Sequence, residues 1–196
     1  MSDTIKKLEK LLSERSSNSI VRKDDFVHAA VMMILKESDP GYSLLFIKRP
    51  ENVKDPFSGH MAFPGGRMEE HDTTKLDTAV RETFEEVGIN INKSARVLGE
   101  LDDVHPNNPR ARNYVVTPYL SILKEEVIIT PDYNEVEKAI WVPMNHLVDD
   151  KNAQVRIRER DGREFEDYAY NYENYLIWGM TGRVLHQFLS FSSHLF

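Results

Sequence analysis

The stretch from Thr73 to Ile89 constrains this chain more than any other. At 3.6 residues per turn, Leu76, Ala79, Val80, Thr83 and Val87 gather on one face, and Glu82, Glu85 and Glu86 share another. The apolar face predicts a helix over residues 73–87 that packs on a core. The acidic face carries a cost. Like charges at this spacing repel by about a few tenths of a kcal/mol per pair on an exposed helix, and by more in a cleft of lower dielectric. A bound divalent cation reverses the sign of that term. Hard oxygen donors with no thiolate or paired imidazole beside them point to Mg²⁺ or Mn²⁺. The plain alternative is a solvated face on which Arg81 pairs with Glu85 and contributes little.

The flanking sequence mixes strands with a few helices. Ile5, Leu8, Leu11 and Leu12 predict an amphipathic helix over residues 3–15, followed by a breaker at Ser16–Ser19. Residues 27–35 and 44–47 read as strands joined through the turn signal Asp39-Pro40-Gly41, hence a hairpin. Residues 50–66 are rich in loop signals, with a short strand near 60–62. Further strands are expected at 97–101, 114–123 and 139–142, with a loop His105-Pro106-Asn107-Asn108-Pro109 and a short helix over 143–148. Asp161-Gly162 between 155–160 and 163–168 is a strong hairpin signal. Met180, Val184, Leu185, Phe188 and Leu189 mark one face of a C-terminal helix. Strands mixed with a few well-separated helices imply an α/β sandwich rather than a strictly alternating parallel sheet.

Composition closes off several function classes. The chain has no cysteine, which excludes disulfides, thiolate zinc sites and cysteine nucleophiles and suits a reducing, cytoplasmic setting. A net charge of −7 disfavours nucleic-acid backbone as a partner. No apolar run is long enough to span a membrane, and residues 1–20 lack the apolar core of a signal peptide. A small anionic ligand is compatible with this balance if metal ions neutralise its charge locally. The terminal helices either cover the chain's own sheet or form a homodimer contact; covering the sheet is the default expectation.

Residue order around the acidic helix is more specific than its charge. The segment opens with Gly66 and closes with Arg81-Glu82-Thr83-Phe84-Glu85-Glu86-Val87-Gly88-Ile89. This resembles the signature of the Nudix hydrolase family: Gly, five residues, Glu, seven residues, then Arg-Glu-apolar-any-Glu-Glu-any-Gly-apolar. Two departures stand out. Asp72 occupies the place of the first Glu, and eight residues rather than seven separate it from Arg81, which reads as a loop insertion. The resemblance implies a Nudix-type α/β/α sandwich with a mixed central sheet and an acidic metal-binding helix. It divides the chain into an N-terminal helical extension, 1–22, and the Nudix domain, 23–196. It also implies roles. Glu82, Glu85 and Glu86 match metal ligands, joined by the backbone carbonyl of Gly65. Arg81 matches an arginine that orients a carboxylate, Gly66 the opening glycine, and Gly88 the glycine that ends the helix. A later loop often supplies a further carboxylate; Glu135 and Glu137 are the candidates, with Glu135 preferred. Which glutamate acts as base stays open.

The expected reaction is metal-dependent hydrolysis of a diphosphate linkage in a nucleoside-diphosphate derivative. Leu44–Pro50, the run Gly59-His60-Met61-Ala62-Phe63-Pro64-Gly65-Gly66 and Ile177–Thr181 are similar to the coenzyme A pyrophosphatase branch of the family. Here the spacer is one residue longer than usual, and Asp55-Pro56-Phe57-Ser58 replaces a basic residue and a histidine. Despite these departures, the similarity makes coenzyme A or an acyl-coenzyme A the expected substrate, with nucleoside triphosphates or ADP-ribose as alternatives. Arg49, Arg67 and Phe63 are the candidate substrate contacts, since guanidinium groups suit phosphates. Tyr114, Tyr119 and Trp141 are open to stacking on an adenine or to core packing. A catalytically silent nucleotide-sensing module is the alternative of another class, and retention of all three helix carboxylates speaks against it.

Overall fold

The computed structural model describes residues 2–20, 26–52, 57–105, 113–160 and 163–196. Strand β1 (Val27–Glu37) is the spine of the molecule, and its residues 29–35 are buried throughout. Successive side chains point to opposite faces of a strand, so this run feeds two cores. Ala29, Val31, Met33 and Leu35 enter one; Ala30, Met32 and Ile34 enter the other. Burial on both faces accounts for the unbroken apolar run.

A seven-stranded mixed sheet is built around β1. On one edge β6 (Tyr114–Leu123) runs parallel to it, followed by the antiparallel β5 (Ala95–Glu100). The other edge is divided. β2 (Tyr42–Lys48) pairs with residues 35–37 of β1 and then turns to β7 (Lys138–Pro143) and β3 (Met61–Ala62). In the space that β2 leaves, β4 (Gly65–Arg67) pairs with residues 29–31. This short strand carries the two glycines of the motif into the middle of the sheet.

Helices cover both faces. On one, α1 (Asp3–Glu14) buries Ile5, Leu8 and Leu12 beside Val184, Leu185, Phe188 and Leu189 of α5 (Gly179–Ser192), so both terminal helices cover the chain's own sheet. On the other lie α2 (Lys75–Val87), with Ala79 and Val87 buried, and the short α3 (Ile91–Ser94). The result is the α/β/α sandwich expected from the sequence. After β7 come α4 (Met144–Leu147) and a second, three-stranded sheet of β8 (Ala153–Arg160), β9 (Arg163–Tyr172) and β10 (Tyr175–Ile177). β8 and β9 form the expected hairpin from Ala153↔Tyr170 to Arg160↔Arg163. Its Asp161-Gly162 turn lies outside the described residues, as do Asp55-Pro56 of the spacer and residues 106–109.

The acidic helix starts at Lys75 rather than at 73, because Thr74 caps it. The Thr74 hydroxyl accepts from the Asp77 N–H at 3.1 Å and the Asp77 carboxylate accepts from the Thr74 N–H at 2.8 Å, a reciprocal capping box. Gly88 ends it at φ 72°, donating its N–H to the Phe84 carbonyl at 2.9 Å. Three elements, β4, α3 and β10, were not foreseen. β4 was expected as loop, and its local sequence has no strand alternation; the open edge of β1 recruits it. α3 is too short to show periodicity and rests on its Asn90 cap.

Candidate active site

Seen from α2, the helix glutamates meet three different environments. Glu86 is 1% exposed and Glu82 is half-buried, whereas Glu85 lies at the surface. The same helix presents its apolar stripe to the sheet, so the residues at the margin of that stripe are drawn under the β4 segment. Each of Glu82, Glu86 and Glu135 contributes a carboxylate oxygen that lies within 4.8 Å of the others'. Glu135 comes from the loop before β7 and is exposed. That loop is tied to the helix end: the Asp132 N–H donates to the Glu86 carbonyl at 3.0 Å and the Thr130 N–H to the Val87 carbonyl at 2.9 Å.

Burial governs the charge of this cluster. Desolvation pushes the Glu86 carboxyl up to about 8, with the neighbouring Glu82 adding to the rise. A hydrogen bond from the Gly65 N–H at 2.8 Å and the nearby positive charge of Arg49 oppose it. Burial also raises the Glu82 carboxyl above its ordinary value, against the pull of Arg81. Two partly desolvated carboxylates beside a third acid form a site whose repulsion a hard cation relieves. The donor set fits such an ion: three carboxylates and no nitrogen or sulfur.

Backbone glycines shape the floor. Gly65 sits at φ 152° with the Ala30 carbonyl oxygen 2.3 Å from where a Cβ would stand. The Gly65 N–H reaches Glu86. At Gly66 a Cβ would come 2.3 Å from Oε1 of Glu82. The carboxylate thus rests directly on backbone.

Arg81 organises the other side. Its guanidinium donates to both Asp72 oxygens (Nε at 3.1 Å, Nη2 at 2.9 Å), to Glu82 at 2.9 Å, to Glu85 at 2.8 Å and to the Arg67 carbonyl at 2.9 Å. Asp72 is buried and also accepts from the Thr78 hydroxyl and the Glu69 N–H, both at 2.9 Å. The Arg81 guanidinium, helped by these donors, holds the Asp72 carboxyl well below the usual range. Asp72, where the signature has a longer Glu, is therefore the buried anchor of the arginine that holds Glu82. That role was missed in the sequence; its signal was the acid at the expected place despite the extra residue.

The remaining candidates separate. Glu85 is not drawn into the cluster but held at the surface by Arg81. Glu137 is paired with Lys48 at 2.7 Å, which leaves Glu135 as the loop carboxylate at the site. Arg49 lies near enough to Glu86 to bear on its charge. The Arg67 guanidinium sits 4.9 Å over the Tyr114 ring. Phe63 is turned into the core, its ring 4.7 Å from that of Phe46. Tyr119 is buried, and Trp141 carries the Lys36 ammonium 4.5 Å above its ring.

Residues 26–161 match the NUDIX domain. The chain belongs to the NUDIX family. It is a Nudix pyrophosphohydrolase, acting on diphosphate linkages of nucleoside diphosphate derivatives, and enzymes of this family generally work with divalent metal ions. It is 32% identical over 165 residues to the Nudix hydrolase NudL of Photorhabdus laumondii, covering 84% of each chain. It is 29% identical to the mouse peroxisomal coenzyme A diphosphatase NUDT7, over 72% of this chain and 60% of that one. Among solved structures, the NUDIX domain of Shewanella oneidensis NrtR complexed with ADP ribose shares the fold. There the TM-score is 0.50 at 16% identity, over 74% of this chain and 85% of that one. Among the described residues no helix is long and apolar enough to cross a membrane.

Proposed function

We propose that this Nudix enzyme hydrolyses the diphosphate linkage of coenzyme A or an acyl-coenzyme A, with Mg²⁺ or Mn²⁺ held by Glu82, Glu86, Glu135 and the Gly65 carbonyl. The convergence of the three carboxylates carries the reading. When bound, the ion offsets phosphate charge and lowers the pKa of a coordinated water. The chain's own residues do the rest. Gly65 and Gly66 fix Glu86 and Glu82 from the backbone side, and Arg81 fixes Glu82 from the other. Glu85, on the same guanidinium, stands at the rim as a further ligand or proton acceptor. The attacking water gives up its proton to a carboxylate of the cluster, its oxygen bonds to phosphorus, and the bridging P–O bond breaks. Arg49, near enough to Glu86 to bear on its charge, would hold a phosphate oxygen.

The coenzyme A assignment draws on the Leu44–Pro50 and Gly59–Gly66 runs and on the likeness to the mouse enzyme. A chain without cysteine suits a cytoplasmic setting. The test is a panel of coenzyme A, ADP-ribose and nucleoside triphosphates, each with Mg²⁺, Mn²⁺ or chelator. Coenzyme A should yield an adenosine phosphate and phosphopantetheine only with metal. Rapid triphosphate hydrolysis with coenzyme A left intact would overturn the assignment.

A further inference from the structure

The second sheet ends on an open edge. Its strand order is β10-β9-β8, so among the described residues β8 is paired on one side alone. The ladder to β9 runs without a shift from Ala153↔Tyr170 to Arg160↔Arg163, and the strand holds neither a bulge nor a proline. Unpaired N–H and C=O groups along such an edge are a template for another strand. Val155 and Ile157 share one face of it and are 59% and 70% exposed. Apolar β-branched side chains at an edge forgo burial that a neighbouring strand would give them.

The residues along this edge complement themselves. Two copies of one strand related by a two-fold axis across the sheet pair antiparallel, and directly opposed residues lie on the same face. An axis through Val155 sets Val155 against itself and Ala153 against Ile157 twice, an apolar row. On the other face Gln154 meets Arg156 twice, acceptor against donor; within one chain Arg156 Nη2 already donates to Gln154 Oε1 at 3.1 Å. Beyond the strand end, Lys151 is exposed in the 3₁₀ turn Asp150–Asn152 and extends toward Glu159 of the second copy, opposite charge to opposite charge. Moving the axis to Arg156 or Ile157 sets Arg156 against itself or against Arg158, and directly opposed like charges destabilise a sheet. The Val155 centre gives the longest overlap free of such pairs.

We infer that β8 is a homodimer interface, at which two copies join antiparallel about Val155 into one continuous sheet of order β10-β9-β8-β8-β9-β10. The pairing closes on itself, because each copy spends its open β8 edge on the other and leaves none for a third. Residues 153–157 of each strand make a small contact, so the dimer belongs to the weak, micromolar class. The terminal helices, which cover the chain's own sheet, take no part in it.

The experiment uses the full chain. Sedimentation velocity over the micromolar range should show wild type passing from monomer to dimer and no further. Val155→Lys, which opposes two ammonium groups on the axis, should weaken the dimer at least about tenfold. Lys151→Glu and Glu159→Lys should each weaken it, and the double variant should recover it. Because the chain has no cysteine, a single introduced thiol reads the register. Directly opposed residues stand about 5 Å apart at Cα, within reach of a disulfide, so Val155→Cys should oxidise to a covalent dimer. In Ile157→Cys the two thiols are offset by four residues, about 13 Å along the strands, and crosslinking should be at least about tenfold slower. A wild type that stays monomeric, assemblies that grow past the dimer, or Val155→Lys dimerising as wild type does would overturn the β8 pairing. So would a double charge swap no better than either single one, or equal crosslinking at the two thiols.

Discussion

Glu86→Gln should make the metal-free protein more stable, increasingly so as pH rises. In the folded state burial holds the Glu86 carboxyl at about 8, against 4.5 for the unperturbed group. The folded protein therefore keeps a proton there that the unfolded chain has already released. Stabilisation from this group is full below about pH 4.5 and is lost as pH climbs through about 8. Each unit of pH inside that window costs about 1.4 kcal/mol, so roughly 3–4 kcal/mol is lost between about pH 5 and about pH 8. Glutamine keeps an oxygen to accept the Gly65 N–H but has no charge to desolvate. Urea unfolding in chelator, at unit pH steps, measures the difference between wild type and variant. The two should nearly coincide in acid and diverge above neutrality, with the variant ahead. Adding Mn²⁺ at the alkaline end should restore the wild type and leave the variant unmoved. A difference that is flat with pH, or that grows toward acid, would refute the claim that desolvation governs this carboxylate.

Glu82→Gln, Glu86→Gln and Glu135→Gln should each lower turnover by orders of magnitude with the circular dichroism spectrum intact; near-normal turnover would remove that residue from the cluster. Glu85→Gln should also slow turnover, but should leave Mn²⁺ affinity, read by paramagnetic titration, closer to wild type than Glu86→Gln does. Asp72→Asn leaves Arg81 without its buried counter-charge and should cost roughly 3 kcal/mol in urea unfolding, with weaker Mn²⁺ binding because Glu82 loses its guide. Gly66→Ala would place a methyl group 2.3 Å from the Glu82 carboxylate. It should weaken Mn²⁺ at least tenfold with little loss of thermal stability, and unchanged affinity would show that Glu82 moves aside freely.

Much of this enzyme is written locally. The helix 75–87 is determined by an apolar stripe, a Thr74–Asp77 cap and a terminating Gly88, all within fifteen residues, so periodicity alone locates it. β1 and β6 are legible for the same reason, being long and apolar. The Glu82–Glu86 pair follows from one helical turn, and Gly65-Gly66 announces a close approach without naming its partner. The family resemblance pointed to a later loop carboxylate without separating Glu135 from Glu137 firmly; the Lys48 ion pair to Glu137, formed across a sheet, separates them.

What remained hidden depends on contacts distant in sequence. β4 becomes a strand because β2 diverges from β1 and leaves an edge to fill, a vacancy that no window of residues 65–67 contains. Glu85 and Glu86 are neighbours of one residue type, yet the packing of α2 buries one and leaves the other on Arg81. The proton affinity of Glu86 is likewise a property of its burial, not of its identity. Sequence determines which groups a helix presents; tertiary packing decides which of them lose water, and desolvation is what turns an acidic face into a site for a cation.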